Sequence, residues 1–493
     1  MQLNRSSGVL TPLTSLPGPY GVGVLGDSAR RFVDWLAEAQ QTYWQILPVG
    51  PTGFGDSPYQ SFSSYAGNPY FIDPQWLYEQ EWLTAEDLQF ATYPGSAGAV
   101  DYGWLWENRR ELFHRALPRF LQNPPADFAA FCAEQSDWLT DYALFMACKD
   151  AHDGAPYLEW EEDLRARTPE AIARWQDTCA EGIRYYQMLQ YCFDTQWTAL
   201  KTYANRRGIS IIGDIPIYVA ADSADVWANP EAFSLDEEGY PTQVAGCPPD
   251  LFSEDGQLWG NPLYDWAALK QDGYRFWINR LAACLKRYDL VRIDHFRAFA
   301  DYYCIPADAE TAAEGEWAIG PGMDLFDAIR GALGDAPIIA EDLGSLSPLV
   351  DDLLEKSGLP GMKVLQFGFD PHADSAHLPH HHPKNAVVYT GTHDNDTVRG
   401  WFADNPAEAA YAKRYLHIPA DADPVRPFME AALASRGVLC VLTLQDILGL
   451  DTTARMNIPG TQEGNWLWRM PALPNEETTR WLAEATSVYR RCG

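Results

Sequence analysis

The sequence predicts a (β/α)8 TIM barrel. Eight short apolar runs punctuate the 493-residue chain. Stretches with apolar residues at three- and four-residue spacing separate most of them, and strand–helix alternation argues a parallel sheet. Four of the runs end in or just before a carboxylate, as expected of strands that open together onto one face of a barrel. The chain is expected to form a single barrel over residues 1–493, with large insertions in the βα loops: a mainly helical one at 70–200 after strand two and a loop-rich one at 218–270 after strand three. An open doubly wound sheet is the alternative arrangement of the same pattern.

The first strand is Gly8-Val9-Leu10, followed by a turn-rich loop with Pro12, Pro17, Gly18 and Pro19. Gly21 to Gly26 spells GxGxxG, but no strand directly precedes it and no acidic residue closes the next strand to hold a ribose. A tight turn into a helix through Phe32, Trp35 and Leu36, with Asp27 as N-cap, is the expected role. Tyr43 to Pro48 is strand two, and its loop, Gly55 to Tyr65, combines serine and tyrosine hydroxyls with rings. From Trp76 to Arg207 the spacing is helical, over Trp106–Leu121, Pro125–Asp150 and Pro169–Arg206, the last returning to the barrel. Strand three is Ile209 to Asp214. A Gly-, Pro- and aromatic-rich segment and a helix from Tyr274 to Arg287 lead to strand four, Leu290 to Asp294. Strands five to eight are Pro337–Asp342, Gly361–Phe367, Ala386–Asp394 and Val438–Leu444. Helices are expected at Leu349–Lys356, Pro406–Leu416, with proline in the first turn, and Glu476–Tyr489.

Net charge is -32, a surface that repels nucleic acid and anionic membranes and favours a neutral or cationic partner. No run approaches the roughly 18 apolar residues of a membrane span, and no apolar segment follows Met1-Gln2-Leu3-Asn4-Arg5. The nine cysteines lack a CxxC pair, so neither a disulfide framework nor a zinc site is expected. These features lead to the expectation of a cytoplasmic protein. The 19 Trp and 25 Tyr suit the apolar face of a pyranose, although most are expected to fill helix interfaces.

In strand four, Leu290, Arg292 and Asp294 point to one side. An arginine and a carboxylate buried on one face form an ion pair or serve a site. Asp214, Glu341 and Asp394 at other strand ends shift the reading to a site. Carboxylates in one cleft, with aromatics and no metal-ligand spacing, point to glycoside chemistry. Arg292 favours the charged form of Asp294, suiting a nucleophile. Glu341 has no cation in its own strand, holds its proton longer and suits the acid/base role. Asp394 with His393 suits sugar hydroxyls and a developing positive charge. A divalent-metal hydrolase using His295, Asp294, His393 and Asp394 is disfavoured, because adjacent side chains in a strand diverge. The run His380-His381-His382, with His372 and His377, lies among prolines in a loop and suggests fortuitous metal affinity.

Four segments resemble the short motifs of the α-amylase superfamily: Gly213–Val219, Val291–Phe296, Ile339–Gly344 and Gly391–Thr397. Ser7–Leu10, Ser57–Ser61, Leu258–Pro262 and Arg455–Thr461 narrow the resemblance to the amylomaltases, the 4-alpha-glucanotransferases of glycoside hydrolase family 77. It extends from the N-terminal residues to Arg469. The resemblance implies transfer of α-1,4-glucan segments between a donor maltooligosaccharide or amylose and a sugar acceptor, with no cofactor, no metal and no C-terminal β-sandwich domain. It implies Asp294 as nucleophile, Glu341 as acid/base and Asp394 as transition-state stabiliser. It places Arg292, His393 and Asp214 at the donor sugar, and Tyr59, Asp250, Trp259, Phe367, His295 and Asn457 among the substrate-binding positions. Val24 departs from the acidic residue expected in the first loop. An α-1,4-glucan hydrolase with the same carboxylates, and a non-catalytic glucan-binding barrel, remain alternatives.

Overall fold

The computed structural model describes residues 3–53, 55–249, 255–344, 347–461 and 463–493. Eight strands form one sheet: β1 (Ser6–Leu10), β2 (Tyr43–Gln45), β3 (Ser210–Pro216), β4 (Leu290–Asp294), β5 (Ile338–Ala340), β6 (Gly361–Val364), β7 (Ala386–Tyr389) and β8 (Leu439–Thr443). Their order is β6-β7-β8-β1-β2-β3-β4-β5, and every pair is parallel. That order is cyclic in the sequence, so the sheet is a barrel with its seam between β5 and β6. At the seam the Ala340 N–H donates to the Pro360 carbonyl at 2.9 Å. Asp342, just past β5, accepts from the Met362 N–H at 2.5 Å and from Lys363 Nζ at 3.3 Å. A carboxylate thus replaces part of the missing ladder.

The two-residue period of the strands separates two cores. Leu10, Ile212, Leu290, Ile339, Met362, Val364, Val387, Tyr389, Leu439 and Val441 fill the barrel interior. Their neighbours Val9, Ile211, Val291, Ile338, Val388 and Cys440 pack outward against the helices. Arg292 and Asp294 continue the inward row from Leu290, and Asp214 continues it from Ile212. The open-sheet alternative fails because such a sheet has no enclosed row.

The glycines of the GxGxxG run serve packing. A Cβ on Gly23 would lie 1.8 Å from the Leu13 carbonyl oxygen, and one on Gly26 2.3 Å from Asp73 Oδ2. Gly26, not Asp27, occupies the N-cap of helix Asp27–Glu38; Asp27 is the first helical residue, where its charge meets the positive helix end.

Between β2 and β3 the chain is mainly helical, but two of the expected helices are divided. Phe128–Glu134 meets Ser136–Ala151 at Gln135 (φ -98°, ψ 8°), and Pro169–Thr178 meets Ala180–Arg206 at Cys179 (φ -101°, ψ 19°). Neither break carries a proline or glycine, so spacing alone does not reveal it. The helix Ala180–Arg206 rejoins the barrel through Trp197 Nε1, which donates to the Arg287 carbonyl at 3.0 Å, and Tyr203, which donates to Asp34 at 2.7 Å.

A four-stranded antiparallel sheet, absent from the sequence expectation, joins the loops after β3 and β4. It comprises Gln257–Pro262, Gln243–Cys247, Asp301–Pro306 and Glu316–Ile319 in that spatial order. Its strands come from two different loops, and Glu316–Ile319 is largely exposed, so no continuous apolar run announces it. No disulfide joins any of the nine cysteines. Among the described residues, no helix is long and apolar enough to cross a membrane.

Candidate active site

Parallel pairing of β3 with β4 sets Asp214 opposite Arg292 and Pro216 opposite Asp294. A Cβ on Gly213 would lie 2.1 Å from the Tyr288 ring, so glycine beside Asp214 lets this part of β3 pack closely. Arg292 NH1 lies 2.8 and 2.7 Å from the two oxygens of Asp214 and 3.0 Å from Asp294 Oδ1. Arg292 thus reaches Asp294 as expected, and the structure adds that the same guanidinium nitrogen is shared with Asp214. The Arg292 and Asp214 side chains are 3% and 0% exposed, whereas Asp294 is 28% exposed. Asp214 and Arg292 therefore form the buried support, and Asp294 is the member that opens to the cleft. Burial pushes the Asp214 carboxyl upward and Arg292 opposes it.

Glu341 lies one residue past β5. Its Oε2 accepts from the His295 N–H at 2.6 Å and its Oε1 from the Leu343 N–H at 2.8 Å. The chain turns sharply at His295, with φ 54°, a conformation that costs a non-glycine residue roughly 1–2 kcal/mol. The peptide that follows Asp294 is thereby hydrogen-bonded to Glu341. Burial, and then the charge of Asp294, raise the Glu341 carboxyl to about 7. A carboxyl raised in this way can give up a proton and take one back near neutral pH.

Asp394 sits in the loop beyond β7, not at the end of the strand as expected: β7 stops at Tyr389. The polar segment after it is shaped by Asn395, whose Oδ1 accepts from the N–H and hydroxyl of Thr392 at 2.8 and 3.0 Å. Asn457 Nδ2 donates to Asp394 Oδ1 at 2.6 Å, and His393 Nε2 is 3.2 Å from Oδ2. Burial pushes Asp394 up, but His393, Asn457 and Arg292 outweigh it and hold the carboxyl down to about 2. Burial likewise works against a charged His393, and Asp394 outweighs it, so His393 is raised.

Tyr59 connects the two halves. Its hydroxyl donates to Asp214 Oδ2 at 2.9 Å and lies 3.0 Å from His393 Nε2. With the Tyr59 proton on Asp214, His393 Nε2 supplies the donor. One polar network therefore runs from Asp394 through His393, Tyr59, Asp214 and Arg292 to Asp294. Tyr59→Phe is expected to lower kcat five- to hundredfold, the roughly 1–3 kcal/mol of leaving buried polar groups unpaired. Steady-state kinetics beside a melting curve checks this. An unchanged kcat with a lowered Tm would reduce the hydroxyl to a structural tie.

The remaining sequence candidates divide. The Trp259 ring meets His295 edge-on at 4.9 Å, and burial lowers His295 to about 4, so this imidazole is neutral at pH 7. Phe367 follows β6, 46% exposed at the rim, with its ring 5.6 Å from His377. Asp250 lies outside the described residues. Of the histidine run, His380 and His381 gather with Asp374 in an exposed group able to hold a metal ion, whereas His382 turns inward and bonds the His377 carbonyl at 2.8 Å. Sequence reasoning missed Arg455, which donates to the Asp394 carbonyl at 2.7 Å and the Asn457 carbonyl at 2.9 Å. It also missed Trp466, whose ring lies 6.0 Å from Tyr59 and 5.9 Å from His393. The run Arg455-Met456-Asn457 carried the signal for the first, but nothing local marks Trp466.

The family model described as 4-alpha-glucanotransferase, glycoside hydrolase family 77, matches residues 11–475. A 4-alpha-glucanotransferase of Streptococcus pneumoniae is 47% identical over 497 residues, covering 99% of this chain and 97% of its own. One from Thermus thermophilus is 48% identical over 504 residues, covering 99% of each. Among solved structures, the amylomaltase of Streptococcus agalactiae in complex with acarbose superposes with a TM-score of 0.96 at 42% identity, covering 99% of both chains. The amylomaltase of Corynebacterium glutamicum shares the fold, with a TM-score of 0.78 at 19% identity, covering 99% of this chain and 75% of its own.

Proposed function

Because the chain belongs to the 4-alpha-glucanotransferases of glycoside hydrolase family 77, we propose that it transfers α-1,4-glucan segments with retention, through a covalent glycosyl-aspartate. The donor is a maltooligosaccharide or amylose, and the acceptor is the 4-hydroxyl of another glucan. Asp294 attacks the anomeric carbon while Glu341 gives its proton to the departing glycosidic oxygen. The C–O bond to the leaving glucan breaks and a C–O bond to Asp294 Oδ forms. Glu341, now ionised, takes the proton of the incoming 4-hydroxyl, whose oxygen displaces Asp294 and restores the original configuration. Asp394, held ionised beside His393, opposes the positive charge that develops at the anomeric carbon. His393, Tyr59, Trp259, Phe367, His295 and Asn457 surround the sugars, with Arg292 and Asp214 behind the nucleophile; Asp250 joins them on the family resemblance alone.

The observation that carries this reading is the Glu341 carboxyl, raised to about 7 while its backbone partner follows directly on the cleft-facing Asp294. A retaining mechanism requires their carboxyls roughly 5–5.5 Å apart. Incubation with maltotriose is the test. Glucose together with oligomers longer than the substrate is expected. Glucose and maltose with nothing longer would make the protein a hydrolase.

A further inference from the structure

A cavity of about 470 Å³, lined by none of the four carboxylates, opens between the insertion helix Ser136–Ala151 and the barrel helix Arg275–Arg287. Its size falls within the range of small-molecule sites. Trp138 and Tyr65 form an aromatic wall, their rings stacked 6.2 Å apart at 14°. The rest of the lining is polar and acidic on balance, seven carboxylates, among them Asp137, Asp141 and Glu231, against the three cations Arg275, Lys286 and Arg287. Two buried groups in the wall lack a hydrogen-bond partner, the Tyr142 hydroxyl and Asp225 Oδ1. The other Asp225 oxygen accepts from the Ser64 N–H at 2.7 Å. Burial raises both the Asp225 and Asp194 carboxyls, which weakens the pull of this wall on a cation.

An aromatic face ringed by carboxylate acceptors, with three cationic donors among them, suits a polyhydroxylated ring. Its C–H face stacks on an indole, and its hydroxyls both donate and accept. We propose that this cavity is a second sugar site, which holds a short segment of an α-glucan whose reacting end lies at the carboxylate cluster or is diffusing towards it. The substrate class rests on the function proposed above. Two anchor points on one polymer raise its effective concentration at the carboxylates, an advantage that a trisaccharide confined to one site does not gain. The loop that carries Tyr65 also carries Tyr59, and the Arg287 guanidinium fastens it by donating to the Tyr65 carbonyl at 2.6 Å. The cavity and the catalytic network thus share one anchored segment.

Trp138→Ala in the full chain tests this. The KM for amylose is expected to rise about five- to tenfold, with kcat/KM for maltotriose held within about twofold. Trp138→Phe, which keeps a stacking face, should recover most of the loss. Equal losses on both substrates, or none on amylose, would overturn the proposal. Should Trp138→Ala not fold, crystals of the parent protein soaked in maltoheptaose provide the second measurement. Sugar density against Trp138 supports the site. Sugar in the carboxylate cleft with none in the cavity, or a polyamine displacing sugar from the cavity, rejects it. Failure of the parent chain to disproportionate maltotriose would instead count against the functional reading, so the two failures are distinguishable.

Discussion

Replacement of Asp294 by asparagine is expected to lower maltotriose disproportionation by roughly 10⁴- to 10⁶-fold, the scale seen when a covalent nucleophile is removed. Asparagine keeps the shape of the side chain and an oxygen for the Arg292 contact at 3.0 Å. The melting temperature should therefore stay within a few degrees of the parent. Full kinetic traces beside a melting curve separate lost chemistry from lost fold. Retained turnover would remove the glycosyl-aspartate from the mechanism, leaving Asp294 as a charge that steadies an oxocarbenium-like sugar.

Glu341→Gln has the second largest expected effect, with a signature of its own. For a natural glucan donor, loss of the acid should cost about 10²- to 10⁴-fold in kcat/KM. An α-maltosyl fluoride needs no proton to leave, so its first step should be largely spared. The second step still lacks a base, and a maltosyl adduct on Asp294 should accumulate and appear in the intact mass of the protein. A spared first step with no adduct would argue against the covalent route. The parent enzyme adds a pH test. Glu341 must be protonated to act as acid, and its carboxyl is raised to about 7. Therefore kcat/KM should be flat just below that pH and fall tenfold per unit above it. In Glu341→Gln acting on the fluoride, this alkaline limb should vanish.

The architecture was legible because the barrel strands obey a two-residue period. Leu290, Arg292 and Asp294 could be placed on one face from the sequence, and the structure puts them in the inward row with Ile212 and Leu439. The gathering of carboxylates followed from that fold. The division of Arg292 between Asp214 and Asp294 was not legible, because it depends on the register between β3 and β4. The helix breaks at Gln135 and Cys179 were hidden because backbone angles changed without a breaker residue. Trp466 was hidden because its neighbours Tyr59 and His393 are brought to it by tertiary folding alone.

The left-handed turn at His295 has a geometric consequence. Asp294 and Glu341 arise from different strands, yet the separation of their carboxyls depends on a short path: the Asp294 side chain, one rigid amide plane and a 2.6 Å hydrogen bond. Small displacements between β4 and β5 act on both ends of that path together, so the gap a sugar must fit behaves as a fixed tolerance rather than a sum of errors accumulated around the barrel.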